Sequence, residues 1–130
     1  METPYWWGNG VQQDDQVRAN CDGCGSQWDG SQTAPAGSFT PNHNGLYDTA
    51  GNVAEWVEDC YLDNYRRAFE DGSPQVQENC ERRVIRNGGW NSTPEKILSP
   101  ARVWDKPLNR SNCSGFRIAR DLDTPTSTGK

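Results

Sequence analysis

Two sets of oxygen-bearing residues in this sequence have the spacing of calcium-binding loops. In the first set, Asp48 and Glu55 enclose Gly51 and Val53, whose main-chain carbonyls lie between the two carboxylates along the chain. Ca²⁺ prefers carboxylate and carbonyl oxygens, and glycine lets a loop turn its carbonyl toward an ion. The first set therefore predicts a structural Ca²⁺ site. Solvated acids in ordinary turns are the alternative.

A second, looser set lies earlier in the chain. Its donors are the side chains of Asn20 and Asp29 and the carbonyls of Cys21 and Ser31. The same oxygen chemistry predicts a second Ca²⁺ site there, with Asx-turns as the alternative. Neither set has the spacing of an EF-hand loop.

The five cysteines offer a different chemistry. Cys60 and Cys80 flank a polar segment, and we predict a disulfide between them that contributes about 3 kcal/mol in the chain-entropy model. The spacing of Cys21 and Cys24 fits a disulfide or structural thiols, half of a metal site, or a redox pair, and these alternatives stay open. Cys113 is left over. Because disulfides persist in oxidising compartments, we expect a periplasmic or secreted protein.

The composition narrows the class of protein. Lys and Arg number 13 against 18 Asp and Glu, so the net charge is −5, which argues against a nucleic-acid partner. No apolar run approaches the roughly 18 residues of a membrane helix, so we expect no membrane insertion. The six Trp supply large buriable area, while 13 Gly and 8 Pro predict many turns.

The elements that must position these residues are predicted to be short. Apolar side chains recur at helical spacing between Val53 and Cys60, which predicts at most a short helical turn around Glu55. Residues 8–45 are predicted to be nearly free of strands. Strands are predicted over 83–86, 101–104 and 116–119.

Several segments together resemble the sulfatase-modifying factor family, which includes the formylglycine-generating enzyme. They are YWWGN at 5–9, TAPAGSF at 33–39, GLYDTAGNVAEWVEDC at 45–60, RRVIRNGGWN at 82–91 and GFRIAR at 115–120. The resemblance implies a domain over 1–120 that matches the C-terminal half of a usual family domain, followed by a disordered tail at 121–130. It also implies a loop-rich α+β fold, a variant of the C-type lectin fold. In formylglycine-generating enzymes, the positions matching both sets hold structural Ca²⁺.

The resemblance does not bring the family's copper chemistry with it. Formylglycine-generating enzymes use O₂ and Cu(I), held by two cysteine thiolates, to oxidise a substrate cysteine. The matching positions fall roughly at Ser92 and Ile97, and neither a hydroxyl nor an alkyl chain replaces a soft thiolate. The sequence therefore leans toward a chain that is not an enzyme by itself. An oxidoreductase completed by a missing half or a partner is the rival hypothesis.

The leading hypothesis is a non-catalytic, calcium-stabilised domain that binds a protein or small molecule through the segment 91–114. In a related subset, the variable proteins of diversity-generating retroelements, the corresponding segment is randomised. Adenine mutagenesis of asparagine codons cannot produce Trp, Lys or Glu, yet these residues occur here, which favours a fixed surface. The expected ligand-binding residues are Trp90, Ser92, Glu95, Arg102, Trp104 and Asn109.

Overall fold

The computed structural model describes residues 3–61, 74, 76 and 79–122. Its regular elements are short and are joined by long loops. The strands are β1 (Gln12–Gln13), β2 (Gln16–Val17), β3 (Ala54–Cys60), β4 (Arg83–Arg86), β5 (Arg102–Asp105) and β6 (Ser114–Gly115), and a 3₁₀ helix spans Pro94–Lys96. Within the described ranges, no helix is long and apolar enough to cross a bilayer.

The main sheet has four strands in the order β5-β4-β3-β6. β4 runs antiparallel to both of its neighbours, with Ile85 opposite Trp56 of β3 and Val84 opposite Trp104 of β5. β6 runs parallel to β3 and forms the other edge of the sheet. β1 and β2 form a separate small hairpin.

The prediction of a short helical turn around Glu55 is wrong, because Ala54–Cys60 forms the longest strand in the described residues. Its register against β4 shifts between Trp56 and Cys60, as in a β-bulge. A bulge changes which face successive side chains occupy, so a bulged strand can carry apolar residues at helix-like spacing. The β4 partner supplies the ladder hydrogen bonds, and aromatic and β-branched residues such as Trp56 and Val57 pack well on a pleated surface.

The other predicted elements have mixed outcomes. The strand at 83–86 is confirmed, and the one at 101–104 is found one residue later, as β5. The prediction of a strand at 116–119 is wrong, because β6 ends at Gly115 and residues 116–119 pair with no strand in the described part of the chain. Residues 8–45 contain only the β1–β2 hairpin as regular strands, as expected. Of the predicted tail, 123–130 lies outside the described residues.

The structure contains two disulfides. Cys21 and Cys24 form a disulfide with their Cα atoms 5.2 Å apart, so the disulfide alternative is confirmed for this pair. Cys60 and Cys80 are also bonded, with a Cα separation of 5.7 Å. All cysteines lie in the described ranges, and among them Cys113 is the free thiol.

The main hydrophobic cluster is small and consists mostly of residues from the N-terminal loops, together with Ile97. Ala54, Cys60 and Val84 are buried on the sheet strands. The rings of Tyr5 and Trp7 stack with centroids 4.9 Å apart. The buried members of this cluster are Tyr5, Trp7, Ala19, Cys21, Cys24, Ala50 and Ile97. Aromatic rings and a buried disulfide thus take the place of an aliphatic core, which suits a chain with few Leu, Ile and Val residues.

Two buried amides connect the N-terminal loops to the start of β3. The Asn52 N–H donates to the Asn20 carbonyl at 2.7 Å, and Asn52 Oδ1 accepts from the Ala34 N–H at 2.8 Å. Asn20 Nδ2 in turn donates to the Gln32 carbonyl at 2.9 Å. Gly51 has φ of +73°, and a Cβ there would lie 2.4 Å from the Asn20 carbonyl oxygen. The close approach of the two loops therefore requires glycine at position 51.

Candidate functional site

A cleft of about 400 Å³ lies between β4, β5 and the loop that follows β4. Ile85 and Val103 supply apolar surface to it from the two strands. Its charged lining residues are Arg86, Glu95, Lys96, Arg102 and Asp105. A concave, partly apolar cleft with a few charged groups is the usual form of a ligand site.

Two consecutive glycines let the walls of the cleft approach each other. At Gly88, φ is +61° and a Cβ would lie 2.7 Å from Cγ2 of the buried Ile97. At Gly89, a Cβ would lie 3.2 Å from the Cys113 carbonyl oxygen. The NGGW segment is therefore needed to pack the loop on both Ile97 and the turn before β6.

Polar contacts fix the rim of the cleft. The Ser92 hydroxyl accepts from the Gly89 N–H at 3.0 Å, which closes the turn after the glycines. The Thr93 hydroxyl donates to Glu95 Oε1 at 2.6 Å. This hydrogen bond lowers the pKa of the exposed Glu95 carboxyl below its usual range. Glu95 therefore presents a carboxylate at neutral pH.

The structure divides the expected ligand-binding residues. Ser92, Glu95 and Arg102 line the cleft, whereas Trp90 and Trp104 are not part of its wall. Asn109 lies at a separate, shallower depression beside Lys106 and Leu108. The segment 91–114 thus contributes to more than one surface.

Cys113 and Arg86 are among the cleft residues that the sequence did not single out as ligand-binding. Cys113 lines the cleft, and its Sγ lies 2.9 Å from the Ser111 hydroxyl. Arg86 lines it from the end of β4, and its Nη2 donates to the Ser99 carbonyl. Within the described residues, the buried Arg86 Nε has no hydrogen-bond partner. The predicted strand at 83–86 was the available signal, but its neighbours in the sheet were not predictable from it.

Guanidinium and aromatic groups form a second surface beside β5, the aromatic–arginine surface. The Arg102 guanidinium lies 4.6 Å from the Tyr61 ring centroid. Arg82 lies 5.4 Å from the ring centroids of both Tyr61 and Trp104. These are cation–π distances. Trp104 belongs to β5 and is 42% exposed.

In the first calcium set, the two carboxylates face loop partners and one arginine. Asp48 Oδ2 accepts from the Gly37 N–H at 2.9 Å, and Glu55 Oε2 accepts from Asn87 Nδ2 at 2.8 Å. Arg117 Nε pairs with Glu55 Oε1 at 2.7 Å, and Arg117 Nη2 donates to the Asp48 carbonyl at 2.8 Å. Two carboxylates and neighbouring carbonyls are hard oxygen donors that fit Ca²⁺. Arg117 already supplies positive charge there.

In the second set, the Asp29 carboxylate organises its own loop. Oδ2 accepts from the N–H groups of Gly23 and Gly25 at 3.1 and 2.9 Å. Oδ1 lies within hydrogen-bond distance of the Ser26 N–H and hydroxyl, and the same hydroxyl donates to Asn20 Oδ1 at 2.9 Å. Ser31 Oγ donates to the Asp29 carbonyl at 3.1 Å. Within the described residues, no group of three His, Cys, Asp or Glu side chains forms a metal cluster.

The sequence model of the sulfatase-modifying factor enzyme 1-like domain matches residues 1–122. The chain belongs to this family. The resemblance recognised in the motifs is thereby confirmed.

This sulfatase-modifying factor domain is similar to parts of two curated proteins that carry different names. It is 37% identical over 108 residues to the serine/threonine-protein kinase pkn1 of Chlamydia caviae, covering 76% of this chain and 18% of that protein. It is 35% identical over 94 residues to the formylglycine-generating enzyme of Streptomyces coelicolor, covering 70% of this chain and 30% of the enzyme. The chain therefore spans less than a third of either relative.

Solved structures share its fold. PvdO from Pseudomonas aeruginosa superposes with a TM-score of 0.77 at 38% identity, covering 85% of this chain and 43% of PvdO. Variable protein 1 of Treponema denticola superposes with a TM-score of 0.61 at 32% identity, covering 77% of this chain and 34% of that protein. The expected loop-rich, C-type-lectin-like fold of the sulfatase-modifying factor family is thus confirmed.

Proposed function

We propose that this domain is a non-catalytic binding module whose ligand occupies the cleft between β4, β5 and the loop after β4. The proposal rests on the residues at the two positions that match the copper-binding cysteines of the family, Ser92 and Ile97. Ile97 is 1% exposed and belongs to the core, and the Ser92 hydroxyl accepts the Gly89 N–H. These residues do not fit Cu(I), which needs soft sulfur ligands.

The cleft itself supports binding. Arg86, Lys96 and Arg102 stand with Glu95 and Asp105 around the apolar surface of Ile85 and Val103. Groups of both signs around apolar area suit a small zwitterionic molecule or a protein loop with mixed charge. The likeness to variable protein 1 of Treponema denticola is consistent with a binding role for this fold.

Calcium is the second part of the proposal. A Ca²⁺ ion at the first set would be held by Asp48, Glu55 and the carbonyls of Gly51 and Val53, and it would fix the loop before β3. The support is the hard-oxygen donor set and the family resemblance. An ion at the first set has to displace the donors that Asp48 and Glu55 already bind, including the Arg117 guanidinium. An ion at the second set likewise has to displace the main-chain N–H donors of Asp29.

An oxidoreductase completed by another polypeptide is the second candidate. It is favoured by the likeness to the formylglycine-generating enzyme and by 25% identity over 111 residues to the hercynine oxygenase of Mycolicibacterium thermoresistibile. The free Cys113 thiol in the cleft offers one soft ligand, whereas the family's copper site uses two.

One assay separates these candidates. The chain is incubated with Cu(I), O₂ and a cysteine-containing peptide, and aldehyde formation is followed by mass spectrometry. We expect no turnover above the free-copper control, and a Cys113→Ser variant should behave identically. Catalytic turnover by the chain alone, lost in Cys113→Ser, would overturn the binding proposal.

The two disulfides support an extracytoplasmic location as part of the same proposal. Expression with and without a periplasmic signal sequence tests it. We expect both disulfides to form quantitatively only in the exported protein.

A further inference from the structure

The aromatic–arginine surface combines positive charge with exposed aromatic area. The ring centroids of Tyr61 and Trp104 lie 6.3 Å apart, with the ring planes tilted by 47°. Trp104 is 42% exposed, and Arg82 beside it is exposed as well. Trp, Tyr and Arg are the residues enriched at the energetic centres of protein interfaces. The composition of this surface therefore indicates a place where another molecule binds.

The sheet and a disulfide fix the main chain of this surface. Trp104 belongs to β5, and the Tyr61 N–H donates to the Arg82 carbonyl at 2.9 Å. The Cys60–Cys80 disulfide joins the two chain segments directly before Tyr61 and shortly before Arg82. Side chains on a main chain held in this way lose less conformational freedom when a ligand binds, so less of the binding free energy is spent on ordering them.

The charge of this surface is opposite to that of the whole chain. Arg82 lies 5.4 Å from both ring centroids, and Arg102 lies 4.6 Å from the Tyr61 ring centroid. Two guanidinium groups are thus gathered around one pair of rings, in a chain whose net charge is −5. A guanidinium presents its N–H donors in a planar fork that matches a carboxylate. Electrostatic complementarity therefore favours a negatively charged partner here.

We propose that the aromatic–arginine surface binds an acidic peptide segment of another protein. Two carboxylates of that segment pair with Arg82 and Arg102, and an aromatic side chain between them packs on the exposed part of Trp104. Small molecules prefer concave sites that bury most of their surface. Tyr61, Arg82 and Trp104 line neither the cleft nor the depression beside Leu108, which suits an extended peptide better.

The probe is a fluorescein-labelled synthetic peptide of alternating Glu and Tyr residues, and fluorescence anisotropy follows its binding. We expect saturable binding that weakens at least about tenfold in Arg82→Gln and in Trp104→Ala. Arg82→Lys keeps the charge but not the planar fork, so it should weaken binding as well. Arg120→Gln is the matched control, because it removes one positive charge at an exposed position after β6, and it should bind like the wild type. A peptide with Lys in place of Glu should not bind.

Thermal melting of each variant checks that it is folded, and three results would overturn the proposal. One is the absence of saturable binding at about 1 mM peptide. Another is equal affinity for the wild type and the folded Arg82 and Trp104 variants, because the peptide would then bind elsewhere. The third is a heparin oligosaccharide that binds more tightly than the peptide and displaces it, since the occupant would then be an acidic polysaccharide. None of these results bears on the cleft, because Arg82 and Trp104 are not part of its wall.

Discussion

Arg117 and Glu55 are 62 positions apart in the sequence, and their side chains form an ion pair at 2.7 Å. Glu55 belongs to the central strand of the sheet, and Arg117 follows the edge strand. The same guanidinium also donates to the main-chain carbonyls of Tyr47 and Asp48. One side chain therefore joins the loop before β3 to the segment after β6.

Removal of this guanidinium should destabilise the domain. Arg117→Met keeps most of the aliphatic stem but leaves Glu55, whose side chain is 12% exposed, without its cation. Because Arg117 itself is 37% exposed, solvent screens the pair and we expect a loss of about 1 kcal/mol. Urea denaturation measures it, with Arg120→Met, at an exposed position, as the control. Equal unfolding midpoints for the two variants would contradict this role.

Calcium should raise the melting temperature if the first set binds it. An ion bound only by the folded state stabilises by about 2.7 kcal/mol at a hundredfold excess over Kd. We expect the melting temperature to fall in EGTA and to recover with Ca²⁺ but not with equal Mg²⁺, which requires a tighter octahedral site.

The substitutions Asp48→Asn and Glu55→Gln, which keep the side-chain size, should abolish that response. Asp29→Asn reports on the second set separately. A melting curve that does not change in EGTA would mean that Asp48 and Glu55 hold no Ca²⁺ and serve only the hydrogen bonds and the Arg117 ion pair described above.

Gly51→Ala should lower the free energy of unfolding much more than Gly45→Ala, although both glycines have a similar backbone conformation. Gly51 and Gly45 have φ of +73° and +77°, so alanine pays about 1 kcal/mol of left-handed strain at either position. At Gly51 the new Cβ would also lie 2.4 Å from the Asn20 carbonyl oxygen, whereas at Gly45 nothing lies within 4 Å. We expect Gly51→Ala to cost at least about 2 kcal/mol more. Similar free energies of unfolding would show that the two loops separate easily.

Both disulfides should be present in the purified protein, with Cys113 as a free thiol. Peptide mapping without reduction should recover Cys21 with Cys24 and Cys60 with Cys80, while Cys113 alone reacts with iodoacetamide. Replacing Cys60 and Cys80 by serine should lower the free energy of unfolding by about 3 kcal/mol. Recovery of Cys60 or Cys80 as an alkylated thiol would contradict the pairing.

The carboxylate at the cleft rim gives a prediction about pH. The hydrogen bond from the Thr93 hydroxyl lowers the pKa of the Glu95 carboxyl in the folded protein. The folded state is therefore stabilised at pH values above the pKa of Glu95 in the unfolded chain, and this stabilisation is lost as the pH falls through the pKa in the folded protein. Thr93→Val should move the pKa of Glu95 back toward its ordinary value. NMR titration of the Glu95 carboxyl measures the shift. An unchanged titration would mean that the hydroxyl bonds elsewhere in solution.

Local pattern predicted some parts of this molecule and could not predict others. The alternation in RVIR was enough for β4, and the cysteines flanking a polar segment were enough for the Cys60–Cys80 bond. β3 was missed because a bulge against β4 produced helix-like spacing, and a single segment does not reveal its partner. The alternating segment FRIA predicted a strand at 116–119. In the structure Phe116 and Ile118 are exposed, and no strand among the described residues pairs with this segment.

The candidate cleft shows the same division. Ser92, Glu95 and Arg102 were predictable because they fall between the family motifs at 82–91 and 115–120. Arg86 was not, because its place in the wall depends on the order of the strands in the sheet. Cys113 also falls between these motifs, but the sequence alone did not show that it lines the cleft.

The loop at 106–113, between β5 and β6, can vary in length. Leu108 at its tip is 93% exposed. The Asn109 N–H donates to the Lys106 carbonyl, and Asn109 Nδ2 donates to Asp105 Oδ1. Ser111 at the end of this turn forms part of the cleft wall. Each doubling of a flexible loop costs only about 0.6 kcal/mol of closure entropy. Insertions at Leu108 therefore lengthen this turn at little thermodynamic cost, so the domain can change in length at this point without altering the sheet.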